Sequence, residues 1–204
     1  MILGITGGTG CGKTTLLRLI QQRGGLVLDC DEIYHRLLAS DAAMLSAIQA
    51  RFPQAFSQGT LERKKLGQIV FADPTALEDL NEITHRAVRK EVVRRLEQKP
   101  PLAAIDAIGL FESGLNELCD ITVAVTAPLE DRVARLMLRD GIGEAYARSR
   151  IAAQHDESWF RSRCDFVLEN DSTQNAFHKK CVAFLDTQGI MEGGRYLYRQ
   201  PDEL

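Results

Sequence analysis

At 204 residues, 45% of them apolar and 26% charged, the chain fits one α/β domain with a buried core and is too short for two full domains. A formal charge of −3 gives no basic field for duplex nucleic acid, so any anion must be held by a local pocket. The five cysteines, Cys11, Cys30, Cys119, Cys164 and Cys181, are odd in number and lack CxxC or zinc-type spacing, which excludes a disulfide framework or structural metal as the organising feature and points to reduced thiols.

From the first residue onward no charged leader and no apolar run of 18 residues occurs, so the expectation is a soluble, unprocessed, cytoplasmic chain that engages no membrane. Residues 2–6 form a short apolar run, the expected central strand of a parallel sheet. A glycine-rich loop follows, then a helix over residues 14–23 with Leu16, Leu17, Leu19 and Ile20 on one stripe, stopped by Gly24-Gly25. A second strand at residues 26–28 ends in Asp29-Cys30-Asp31 and leads into a helix through Ile33, Tyr34, Leu37 and Leu38. Residues 41–99 read as helical almost throughout, with breaks near Phe52-Pro53 and Ser57-Gln58-Gly59, and with Asp73 capping a helix whose first turn holds Pro74. After Pro100-Pro101, strands are expected at residues 102–105, ending at Asp106, and at residues 121–125, with Pro128 opening the next helix. A last strand at residues 166–168 precedes a closing helix over residues 173–187. The fold class is therefore α/β: five parallel strands with helices on both faces, a helical insertion and an arginine-bearing lid. The expected layout is a single domain over residues 1–188, with a core of about 1–40, 101–130 and 160–188, an insertion at 41–100 and a lid at 131–159. Residues 189–204, with Gly193-Gly194-Arg195-Tyr196, read as a surface extension.

Gly7-Gly8-Thr9-Gly10-Cys11-Gly12-Lys13-Thr14 matches G-x-x-x-x-G-K-[ST] at every fixed position, between a strand and a helix. Its glycines let the backbone N–H groups of a loop containing Gly8, Gly10, Cys11 and Gly12 approach phosphate oxygens, and the helix N-terminus adds positive potential. Lys13 is expected at the β- and γ-phosphates, the Thr14 hydroxyl on Mg²⁺, and Thr15 at the α-phosphate of ATP. No guanine-specifying N-K-x-D occurs, since Glu169-Asn170-Asp171 lacks the lysine; small size, the insertion and late arginines favour a metabolite kinase of the P-loop fold. Asp29 and Asp31 lie where a parallel sheet opens its crevice, expected beside the first strand. Asp31 can take the proton of an attacking hydroxyl or cap the following helix, and these roles are compatible. Asp29 reads as a structural or metal-shell carboxylate. Asp106 can hold Mg²⁺ through water, or simply end its strand. Among Arg132, Arg135, Arg139, Arg148, Arg150, Arg161 and Arg163, most are expected on a solvated face; Arg139, beside Gly141-Ile142-Gly143, is the candidate for the transferring phosphate. Cys11 is tolerable in the loop because its N–H is the working group, and its thiol is a candidate for oxidation.

Over residues 1 to about 188 the chain resembles the dephospho-coenzyme A kinase family. The matching segments are Ile5-Thr6 with the phosphate loop, Asp29-Cys30-Asp31, Gly59-Thr60-Leu61-Glu62-Arg63, Leu80-Asn81-Glu82-Ile83-Thr84-His85, Leu110-Phe111-Glu112, Arg132, Arg139-Asp140, Arg150-Ile151-Ala152-Ala153-Gln154 and Asp165-Phe166-Val167-Leu168-Glu169-Asn170. The resemblance implies transfer of the ATP γ-phosphate to the ribose 3′-hydroxyl of dephospho-coenzyme A, with Asp31 as base. It implies Arg63, His85, Phe111 and Glu112 in or beside the acceptor pocket, and Asn170 near the adenine of ATP. From the residues alone, His85 reads equally as a surface histidine and Phe111 as core. Two positions depart from the family pattern: Arg86 stands where a proline follows the histidine, and Ile108-Gly109 stands where a proline precedes Leu110-Phe111-Glu112. Both changes relax φ near the expected acceptor pocket. They favour, as the alternative, a kinase for a nucleoside, nucleotide or shikimate; Asp31 and Arg139 argue against a non-catalytic nucleotide-binding protein. A monomer or weak homo-oligomer is expected.

Overall fold

A computed structural model describes residues 1–191; the expected extension beyond that point, with Gly193 to Tyr196, lies outside the described residues. In chain order the elements are β1 (Ile2–Thr6), α1 (Lys13–Gln22), β2 (Leu26–Asp29), α2 (Cys30–Ser40), α3 (Ala42–Arg51), β3 (Phe56–Ser57), β4 (Thr60–Leu61), α4 (Arg63–Ala72) and α5 (Pro74–Leu96). They continue with β5 (Ala103–Asp106), β6 (Ile121–Thr126), α6 (Leu129–Asp140), α7 (Glu144–Ala152), α8 (Glu157–Arg163), β7 (Phe166–Glu169) and α9 (Gln174–Thr187). Two compact units result: residues 1–28 with the described residues from Lys99 onward, and Asp29–Gln98. The second unit includes α2, so it begins about a dozen residues before the expected insertion point.

The first unit is built on a five-stranded parallel sheet in the order β2-β5-β1-β6-β7. As its apolar run requires, β1 is central, and Leu3 and Ile5 are fully buried. They share one core with Leu16 and Ile20 of α1, Val123 and Val125 of β6, and Phe177, Cys181 and Leu185 of α9. Each fully buried Leu or Ile in that cluster contributes about 1.5–3 kcal/mol. In the sheet register Ile5 faces both Asp106 and Val123, which brings the carboxyl end of β5 alongside the loop that leaves β1. One expectation is corrected here: β2 does not neighbour β1. It is an edge strand with β5 between them, joined by the Leu26 N–H donating to Leu102 O at 2.9 Å.

The second unit is helical around α5, whose buried residues Ala76, Leu80, Thr84, Val88 and Val92 recur every four positions and make one stripe. Asp73 caps it, accepting from Thr75 N at 2.9 Å, and Pro74 sits in the first turn, as expected. Leu38, Met44, Ile48, Phe52, Leu66 and Val70 complete that core. The break at Ser57-Gln58-Gly59 is a two-residue hairpin, with Phe56 opposite Leu61 and Ser57 opposite Thr60. Gln58 and Gly59 both have positive φ, 49° and 79°, the conformation a tight hairpin needs.

Candidate active site

The phosphate loop leaves the central strand and turns into α1. Gly7, at φ 129°, has no room for a side chain: a Cβ there would stand 2.1 Å from Val125 O of β6. Gly12, at φ 98°, is the N-cap, so α1 begins at Lys13 and its positive dipole end meets the loop. The Lys13 ammonium donates to Gly7 O at 2.9 Å and stands 3.9 Å from Asp106 Oδ1. Lys13 and Asp106, separated by nearly half of the chain, are thus brought together by the β1–β5 register. Thr14 is exposed in the first turn of α1, and Thr15 is half-buried behind it. Both donors proposed for Mg²⁺, the Thr14 hydroxyl and the Asp106 carboxylate, are hard oxygens. They suit an ion that completes its octahedron with phosphate and water, and among the described residues no cluster of three His, Cys, Asp or Glu forms a protein cage.

The outer side of the loop is equally built. Arg132, nine-tenths buried, donates through Nε to Thr9 O at 2.9 Å, and Arg135 donates to Gly10 O at 3.1 Å. The Asn170 amide donates to Cys11 O at 2.9 Å, and Gln154 accepts from Thr9 N at 2.8 Å. Cys11 itself is buried, and burial raises its thiol pKa despite the nearby Arg132, Lys13 and Arg135. That environment corrects the expectation of an oxidation-prone thiol, because the reactive species is the thiolate.

Arg139 behaves differently from its neighbours on α6. It lies in an exposed pair with Asp140, at 2.7 and 3.0 Å, and Arg150 joins the same carboxylate at 2.6 Å. Arg139 and Arg150 together hold the Asp140 carboxyl at about 2. Among the described residues, the two arginines that reach the loop are Arg132 and Arg135, and they do so through its carbonyls. Arg148 pairs with Glu130 and Glu144, Arg161 with Glu157 and Glu169, and Arg163 lies over the Trp159 ring at 4.3 Å. Gly141, at φ 64°, ends α6 at the expected break.

The loop after β5 carries Phe111 and Glu112. It is pinned where the proline is missing: Thr6 Oγ1 donates to Ile108 O at 3.0 Å, and Ser113 Oγ donates to Gly109 O at 2.6 Å. Hydrogen bonds thus supply part of the rigidity that proline would have given. The Phe111 ring meets Trp159 edge-on at 5.7 Å, and Glu112 Oε1 lies 2.8 Å from His155 Nε2. His155 stacks flat on Trp159 at 3.8 Å. Neither His155 nor Trp159 stands out in the sequence, since the Phe111 and Glu112 that they meet lie far upstream in the chain.

Asp31, Arg63 and His85 belong to the second unit. There Asp29, not Asp31, caps α2, accepting from Glu32 N at 2.9 Å. Asp31 is exposed in the first turn, relieved of the capping role. Arg63 opens α4 close enough to Tyr34 to oppose the rise that burial imposes on its hydroxyl pKa. His85 is half-exposed on α5, and Arg86 beside it is exposed.

Residues 1–176 match the family model described as dephospho-CoA kinase. This chain belongs to the dephospho-CoA kinase family. A relative of that name from Anaeromyxobacter dehalogenans is 38% identical over 200 residues, covering 95% of this chain and 93% of the relative. A crystal structure from Thermus thermophilus superposes with a TM-score of 0.80 at 32% identity, covering 92% of this chain and 96% of that one. Shikimate kinase from Acinetobacter baumannii shares the fold alone, with a TM-score of 0.51 at 18% identity over 91% of each chain. Dephospho-CoA kinases are ATP-dependent kinases, and P-loop nucleotide binding follows from this family and fold. The family motif containing Arg150 and Gln154 takes on a structural meaning that its spacing does not disclose: Gln154 bonds to the loop itself.

Proposed function

We propose that this chain transfers the γ-phosphoryl group of ATP to the ribose 3′-hydroxyl of dephospho-coenzyme A. The observation that carries the reading is the phosphate loop closed by Lys13 beside Asp106, in a chain that belongs to the dephospho-CoA kinase family. In the step, the 3′-oxygen forms a bond to the γ-phosphorus, the bond from that phosphorus to the β–γ bridging oxygen breaks, and ADP leaves. The hydroxyl proton passes to Asp31, whose carboxylate is not used as a helix cap. Lys13 and the loop residues Gly8, Gly10, Cys11, Gly12, Thr14 and Thr15 bind the phosphates. Arg139 turns from Asp140 to the transferring group when substrates are bound, Arg63, His85, Phe111 and Glu112 hold the acceptor, and Asn170 supports the adenine side. Thr14 and, through water, Asp106 would hold Mg²⁺, which would supply charge neutralisation for the phosphates. The layout is a single kinase domain over residues 1–188 with a lid at 131–159. It acts in the cytoplasm as a monomer or weak homo-oligomer on these two small substrates, without nucleic acid or membrane.

The test is ADP release by the purified protein with ATP and Mg²⁺, comparing dephospho-coenzyme A with adenosine, nucleoside monophosphates and shikimate. Turnover confined to dephospho-coenzyme A is expected. Good turnover of shikimate or a nucleoside, with none of dephospho-coenzyme A, overturns the assignment.

A further inference from the structure

Among the described residues Arg132 is a buried cation with no carboxylate within 4.0 Å; Glu157, which lines the same small cavity, is paired with Arg161. Its contacts among the described residues are the Thr9 carbonyl, at 2.9 Å from Nε, and the Gln154 side-chain oxygen, at 3.4 Å from a terminal nitrogen. Taking a guanidinium out of water is costly unless an anion or a full set of acceptors offsets it, and one carbonyl and one shared amide oxygen are a thin set for five N–H donors. The chain has also made space for it. A Cβ on Gly8 would fall 2.2 Å from an Arg132 terminal nitrogen and 3.1 Å from the Gln154 oxygen, and one on Gly10 would fall 2.9 Å from the Arg132 carbonyl. Two glycines of the phosphate motif therefore admit α6 as well as phosphate.

The geometry also fixes the peptide groups of the loop. For a loop to turn its amides toward an anion, its carbonyls must turn out, and outward carbonyls concentrate negative potential behind the site. Arg132 takes the carbonyl of Thr9, Arg135 that of Gly10, and Asn170 that of Cys11. Gln154 takes the Thr9 amide, which removes that N–H from the phosphate-binding set. Arg132 and Gln154 thus grip one residue, Thr9, by both of its backbone polar groups.

We propose that Arg132, held by Gln154, is a positioning residue for the ATP phosphates, locking the Thr9 peptide and placing an uncompensated positive charge beneath the phosphate loop that the triphosphate offsets from the other side. The inference rests on the reading that this loop binds ATP. It does not depend on the acceptor. Its contribution grows with the charge on the ligand and vanishes for adenosine. Gln154→Glu keeps an acceptor for Thr9 N while giving Arg132 a carboxylate, so it cancels the buried charge without removing the arginine.

The experiment measures dissociation constants for ATP, ADP and adenosine by calorimetry for the wild type, Arg132→Gln, Arg132→Lys and Gln154→Glu, with thermal melts alongside. Arg132→Gln and Gln154→Glu should each weaken ATP by about tenfold, the scale of one charge acting through a partly screened medium. ADP should weaken less and adenosine not at all, and Arg132→Lys should recover most of the loss. Gln154→Glu should melt no lower than the wild type, which separates lost charge from lost fold should Arg132→Gln prove unstable. ATP affinity within twofold of wild type in Gln154→Glu overturns the proposal, as does a loss shared equally by adenosine. A wild type that binds no ATP sinks the reading beneath it as well. ATP binding without turnover of dephospho-coenzyme A leaves this inference standing and removes only the acceptor.

Discussion

Asp29 and Asp31 are two carboxylates two residues apart, and the helix start divides their work. With α2 beginning at Cys30, Asp29 takes the cap position and Asp31 the exposed first turn. Sequence alone leaves both able to cap, because a two-residue shift in the helix start exchanges them. The assignment predicts opposite phenotypes. Asp31→Asn should lower kcat by about 10²-fold or more with ATP affinity retained, the scale of a general base. Asp29→Ala should cost about 1 kcal/mol in urea unfolding, the scale of a lost cap, with ATP affinity unchanged. An active Asp31→Asn enzyme removes the residue from the mechanism. At Cys11 the prediction is inertness: its thiol, raised by burial, should resist labelling by a maleimide at pH 7 in the native protein and react only on unfolding. Rapid native labelling of Cys11, read by mass spectrometry, would contradict the packing.

Among the elements, α5 was the easiest to read and the hairpin the hardest. Asp73-Pro74 announces the start of α5, and its four-residue stripe runs on through Val92. By contrast, β3 and β4 have two residues each, too short for any alternation to register, and only the positive φ of Gln58 and Gly59 reveals the turn. Near the end of α5, Arg94 and Arg95 hold the Glu91 carboxyl at about 2, well below its ordinary range. A carboxyl lowered in the folded state stabilises fully above its unfolded pKa and loses that contribution as pH falls through its folded value. The wild type should therefore lose Tm between pH 5 and pH 2 more steeply than Glu91→Gln, because only the wild type has this pair to lose. Parallel curves would show that the exposed ion pairs contribute nothing.

For the whole molecule, strand identity was legible and strand order was not. Residues 2–6, 102–106, 121–125 and 166–168 are recognisable from apolar runs bounded by turn residues, and all become strands of one sheet. That β5 separates β2 from β1 depends on pairings about a hundred residues apart, which no local pattern carries. The site divides in the same way. The loop motif, being contiguous, exposes Lys13 and Thr14 directly, and Asp106 follows from its place at a strand end. Gln154 and Arg132 were visible only as motif members, because their partner Thr9 lies more than a hundred residues away. The central claim is transfer to one particular hydroxyl, and phosphorus NMR of the reaction product tests it most directly. With ATP, Mg²⁺ and dephospho-coenzyme A, a new phosphomonoester signal coupled to the ribose 3′ proton is predicted, and none with the 3′-deoxy acceptor. A phosphomonoester formed at any other position, or formed equally on the 3′-deoxy compound, would contradict it.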